Sequence, residues 1–89
     1  MKAVVTVVGR DAVGILAKVS AVCAEHNANI LDVSQAVLSE MFSMVMVLEI
    51  SDLTKDFSAL QDDLGALGER IGMKIHTMHE DIFNAMHRI

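Results

Sequence analysis

Two short runs are apolar on both faces at strand spacing, and they limit the possible folds more than any other feature. In Lys2–Val8, the residues Ala3, Val5 and Val7 alternate with Val4, Thr6 and Val8. In Phe42–Ile50, the residues Phe42, Met44, Met46, Leu48 and Ile50 alternate with Val45 and Val47. A strand apolar on both sides needs cover on both, so each run is expected in the middle of a sheet. A helical stripe follows each of them. Ile15, Val19, Val22 and His26 form the first, flanked by Leu16 and Cys23; Phe57, Leu60, Leu64, Leu67 and Ile71 form the second. Beside the first lie the small residues Ala17, Ala21, Ala24 and Ala28, suited to close packing against another helix.

Two more strands complete the pattern. Ile30–Ser39 places Leu31, Val33 and Val37 on one face, interrupted by Gln35, and Ser39-Glu40-Met41 is short enough for a hairpin. Met73–Met78 alternates Met73, Ile75 and Thr77 with Lys74, His76 and Met78. Ile82, Phe83, Met86 and Ile89 recur at helical spacing, predicting a short amphipathic helix over a sheet edge or a partner. The punctuation agrees. Gly9–Gly14 is a turn, Asn27 or Asn29 suits a left-handed helix end, and Gly72 is a natural stop. Ser51-Asp52-Leu53-Thr54 supplies capping residues, and Asp56 suits the start of the second helix. Gly65 and Gly68 inside that helix each cost about 1 kcal/mol relative to Ala, and close backbone packing is the expected offset.

The order β-α-β-β-α-β predicts an α+β fold, a ferredoxin-like βαββαβ sandwich. Right-handed crossovers give a four-stranded antiparallel sheet of order 4-1-3-2, with two helices on one face and a short C-terminal helix. The two doubly apolar runs then fall at the centre, and the second strand lies at an edge open to pairing with another copy. Eighty-nine residues support a single domain, 1–89. A chain this short buries only about 60% of its unfolded surface, yet 53% of its residues are apolar. Part of that surface is therefore expected in a subunit interface.

Charge and composition exclude several classes. Seven basic against twelve acidic residues leave a net charge of −5, and there is no Trp or Tyr and only three Phe. Such a chain has neither the cationic field nor the stacking rings of a nucleic-acid binder. No apolar run approaches the ~18–20 residues that cross a bilayer. The N-terminus enters a strand without a signal-peptide pattern, which makes the cytoplasm the default expectation. The single Cys23 forms no internal disulfide and reads as a small buried apolar residue.

The chemistry that remains is modest. Gly9 to Leu16 forms a strand–loop–helix corner, where the first helical N–H groups lack internal partners and the dipole favours an anion. Gly14 lets a ligand approach the backbone, Asp11 could receive an ammonium group, and Arg10 could hold an anion. The plainer reading has Asp11 capping the helix and Gly14 easing the turn. His76, His79, Glu80 and His87 cluster near the C-terminus, but strand alternation sends His76 and His79 to opposite faces. Surface histidines are the expected reading, with no metal and no cofactor. Arg10 invites comparison with ferredoxin-like acylphosphatases, but the third strand has no Asn to accompany it. Asp62-Asp63 and Glu80-Asp81 read as solvated faces, and Gln35 as either a site-lining or a solvent-facing residue. No catalytic constellation emerges.

Asp11-Ala12-Val13-Gly14-Ile15-Leu16-Ala17 resembles the opening of ACT domains, in which Asp-x-x-Gly precedes two aliphatic residues and Ala or Ser. Asn29-Ile30, fifteen residues after Gly14, resembles their Gly-x-Asn-Ile second-strand start, with Asn27 at the glycine position. Val33-Ser34-Gln35 and the third strand are most similar to stand-alone single ACT domains, themselves similar to domains of the glycine-cleavage-system regulator. The resemblance covers the whole chain. It implies regulatory binding of a small molecule, usually an amino acid, between two ACT domains. Asp11, Ala12, Val13, Gly14 and Ile15 would form the loop side of the site; Asn29, Ile30 and Leu31 of the partner would form the other. Val13 stands where many members have Pro. The expectation is a non-enzymatic homodimer, or higher homo-oligomer, with its ligand at the seam. The alternative is a ligand-free interaction module that docks on a regulator or enzyme.

Overall fold

The Val-rich opening run forms β1 (Lys2–Gly9), followed by α1 (Ile15–Glu25), β2 (Asn29–Leu38), β3 (Met41–Glu49), α2 (Phe57–Ile71), β4 (Lys74–His79) and α3 (Glu80–Met86). A computed structural model of the chain describes residues 1–10 and 13–86. The four strands form one antiparallel sheet of order β2-β3-β1-β4. This is the expected 4-1-3-2 order of the ferredoxin-like sandwich, read from the other edge.

Register explains the double apolarity of β1 and β3. Ala3, Val5 and Val7 lie opposite Leu48, Met46 and Met44, and all six are buried beneath Ile15, Val19 and Cys23 of α1 and Leu60, Leu64 and Leu67 of α2. Burying each large aliphatic side chain contributes about 1.5–3 kcal/mol. Val4 points to the other face and is equally buried, yet stands outside that core. The element left to cover it is α3, which packs on β1 and β4. The amphipathic tail therefore shields part of the second face.

Several local expectations change. Leu31, Val33 and Val37 do not simply share a face, because the β2–β3 ladder shifts between Ile30 and Asp32. Leu31 is the extra residue of a bulge, which leaves Ile30 and Val33 both packed on the core, three residues apart. Leu16 is exposed rather than part of the buried stripe. Ala17, Ala21 and Ala24 are also exposed, so within this chain they do not pack against a second helix. Asp56, not the Ser51–Thr54 segment, is the N-cap of α2. Asn27, with φ 58°, ends α1, and Gly72, with φ 72°, ends α2. Of the two glycines in α2, only Gly68 lies against another backbone. A Cβ there would sit 2.7 Å from the Met73 carbonyl oxygen, whereas one on Gly65 would meet nothing within 4 Å.

Candidate functional site

The corner between β1 and α1 is built by a glycine. Gly14 is the N-cap of α1 at φ 71°, a left-handed conformation that side-chain-bearing residues rarely adopt, and among the described residues no side chain caps the helix there. Its carbonyl accepts the first helical bond, from the Lys18 N–H at 3.0 Å. A Cβ on Gly14 would touch only the Lys18 side chain, 3.7 Å away, so the backbone is open to approach. Val13 beside it is 82% exposed. Ile15 is buried, so its side chain anchors the helix in the core and only its backbone faces the corner. Asp11 and Ala12 lie outside the described residues.

Asn29, Ile30 and Leu31 lie at the start of β2, next to an open groove under the small face of α1 lined by Ala17, Ser20, Ala21 and Ala24. Asn29 is exposed, Ile30 is half-buried against the core, and Leu31 is 46% exposed on its bulge. The fold does not bring these residues to the Gly14 corner. Asn29 pairs with Glu49, which pairs with Lys2 at the start of β1; Gly9 pairs with Phe42 at the far end. Seven residues at ~3.3 Å separate the two levels by about 23 Å along the strands. Within one chain the two sides of the expected site are thus at opposite ends of the sheet.

The other candidates resolve differently. His76 lies opposite Thr6 and His79 opposite Ala3, on opposite faces of the sheet as alternation requires. His79 stacks on Phe57 with ring centroids 4.2 Å apart. Among the described residues no three His, Cys, Asp or Glu side chains are placed to hold a metal ion; His87 lies outside them. Cys23 is a buried free thiol, and burial pushes its pKa up to about 11. Asp63 is not merely part of a solvated face: its carboxylate accepts a hydrogen bond from His26. The periodicity counted His26 among the apolar stripe; nothing in the local sequence marked it as paired with a residue 37 positions away. Among the described residues no helix is long and apolar enough to cross a membrane.

Comparison with known proteins is consistent across the chain. A family model described as an ACT domain matches residues 2–78. A UPF0237 protein of Methanocaldococcus jannaschii is 47% identical over 88 residues, covering 99% of this chain and 98% of its own. A UPF0237 protein of Lactococcus lactis is 51% identical over 89 residues, covering 100% of both. Among solved structures, an ACT domain protein from Streptococcus pneumoniae superposes with a TM-score of 0.81 at 45% identity, covering 98% of each chain.

Proposed function

We propose that this chain, which belongs to the ACT domain family, is a non-enzymatic cytoplasmic regulatory module that binds a small molecule, an amino acid, between two copies of itself. The observation that carries this reading is the Gly14 corner: left-handed, exposed and, among the described residues, without a side-chain cap. N–H groups at such a helix start favour a carboxylate. Backbone N–H groups around Val13 to Ile15 in the loop of one copy take the ligand carboxylate. Asn29, Ile30 and Leu31 of the partner take the ammonium group or the side chain. The 23 Å between these two segments in a single chain, estimated from the strand rise, is the reason two copies are required. Ligand binding then shifts the balance between subunit arrangements only by its difference in affinity for them.

The test is a panel of amino acids in titration calorimetry, with light scattering on the same preparation. A dimer that binds one of them, and loses that binding in Gly14→Val, supports the reading. No binding at millimolar concentration, or binding untouched by Gly14→Val, rejects it. Stoichiometric capture of a protein regulator without any small ligand would favour the interaction module instead.

A further inference from the structure

We propose that the outer edge of β4 takes an extended peptide segment of a partner protein, antiparallel to β4, with an aliphatic residue opposite Ile75 and acidic residues opposite Lys74 and His76. This edge lies across the sheet from β2, so the proposal does not depend on the two-copy site above.

The bonds already made along β4 show which of its backbone groups look outward. The Thr77 carbonyl accepts a hydrogen bond from the Gln61 side chain of α2 at 2.8 Å. The Met73 N–H donates to the Gly68 carbonyl of the same helix at 2.9 Å. Both residues therefore turn their backbone groups away from β1. In an antiparallel ladder the N–H and C=O of one residue point the same way, and the direction alternates along the strand. Ile75 lies midway between Met73 and Thr77, so both of its groups also turn outward. Among the described residues no group of the chain pairs with them. The two flanking bonds to α2 bound a window of three residues, Lys74 to His76.

That window opens on a groove of about 400 Å³ between β4 and the C-terminal half of α2. The helix side of the groove is glycine. Gly65, Gly68 and Gly72 all line it, and a Cβ on Gly65 or Gly72 would meet nothing within 4 Å. Residues directly opposite each other on paired strands share a face of the sheet. A residue opposite Ile75 therefore directs its side chain as Ile75 does, towards α2, where Ile75 comes within 3.1 Å of the Cβ position of Gly68. The glycines leave room there for an aliphatic side chain, and Glu69 beside them repels an acidic one. The neighbours of that residue direct their side chains to the other face, where Lys74 and His76 stand exposed opposite Val8 and Thr6 of β1. A carboxylate facing Lys74 meets its ammonium group, and one facing His76 meets an imidazole N–H. The backbone pairing at Ile75 supplies attachment, and the alternating side chains supply specificity, as in other strands added to a sheet edge.

A fluorescent heptapeptide, blocked at both ends and carrying Glu-Val-Glu at its centre, tests this by anisotropy titration of the full chain. Amide NMR spectra locate the contact, and circular dichroism checks the fold of each variant. The peptide should bind and shift the Ile75 amide. Lys74→Glu, an exposed change, should weaken binding about tenfold. Antiparallel pairing places the second Glu of the peptide opposite Lys74, so a Glu-Val-Lys peptide should regain that affinity with Lys74→Glu, and Lys-Val-Glu should not. Gly65→Leu fills the groove from a position that faces open space, and should weaken binding about tenfold with the fold intact. No binding at millimolar peptide, or binding that leaves the Ile75 amide unmoved, overturns the proposal. So does indifference to both Lys74→Glu and Gly65→Leu, or no recovery with Glu-Val-Lys. Each of these failures leaves the amino-acid site at the Gly14 corner standing, because none of the altered residues belongs to it.

Discussion

His26 Nε2 lies 2.6 Å from Asp63 Oδ2, joining the end of α1 to the middle of α2. His26 is 2% exposed, and its other ring nitrogen, Nδ1, is buried without a hydrogen-bond partner. With the carboxylate ionised, Nε2–H donates and the pair satisfies one of two buried ring nitrogens. Removing Asp63 leaves the imidazole with none, and an orphaned buried polar group costs more than a hydrogen bond contributes. Asp63→Ala is therefore expected to lower unfolding stability by about 1–3 kcal/mol in urea denaturation. His26→Leu combined with Asp63→Ala should cost less than Asp63→Ala alone if the penalty comes from the stranded ring.

The two glycines of α2 should respond to alanine with opposite signs. Gly65 faces open space, so Gly65→Ala is expected to stabilise the helix by about 0.5–1 kcal/mol. Gly68 is buried, with the Met73 backbone oxygen 2.7 Å from any Cβ, and the Met73 N–H donates to the Gly68 carbonyl at 2.9 Å. Neither side can yield cheaply, so Gly68→Ala should destabilise by about 1–3 kcal/mol despite its better helix propensity. Thermal melts of the two variants with the same sign would contradict this packing.

Glu49 makes part of the stability depend on acid. The Ser51 hydroxyl and backbone N–H and the Met1 ammonium all donate to its Oε1, holding its pKa near 2 instead of the usual 4.5. A carboxylate with a depressed folded-state value stabilises the fold fully above its unfolded value. That contribution is lost as the pH falls from 4.5 through about 2. The stability difference between wild type and Glu49→Gln, measured by urea titration, should shrink between pH 6 and pH 2.5. A difference constant over that range refutes the assignment.

Cys23 should be silent in the folded protein. Its thiol is buried, and desolvation raises its pKa to about 11, so little thiolate exists at neutral pH. Iodoacetamide should label it only under denaturing conditions, at a rate that follows unfolding. Prompt labelling of the native protein would show that α1 opens locally.

The corner at Gly14 was legible because a left-handed helix start favours glycine, and Asp11-Ala12-Val13-Gly14 announces it in four consecutive residues. The bulge was not: Leu31, Val33 and Val37 keep strand spacing in the sequence, broken only by Gln35, and only pairing with β3 reveals that one residue is left over. The exposure of the α1 alanines was likewise invisible, since helical spacing shows that small residues share a face but not what lies across from it.

From the sequence by itself came the element order, the central place of the two doubly apolar strands, the helix stop at Gly72 and one at Asn27 or Asn29. All of these follow from periods and backbone preferences that act over a few residues. The tertiary structure decided the partnership of His26 with Asp63, the different surroundings of Gly65 and Gly68, and the separation of Gly14 from Asn29 at opposite ends of the sheet. Those depend on which distant segments the sheet register brings level, and register is a property of the paired strands together rather than of either strand alone.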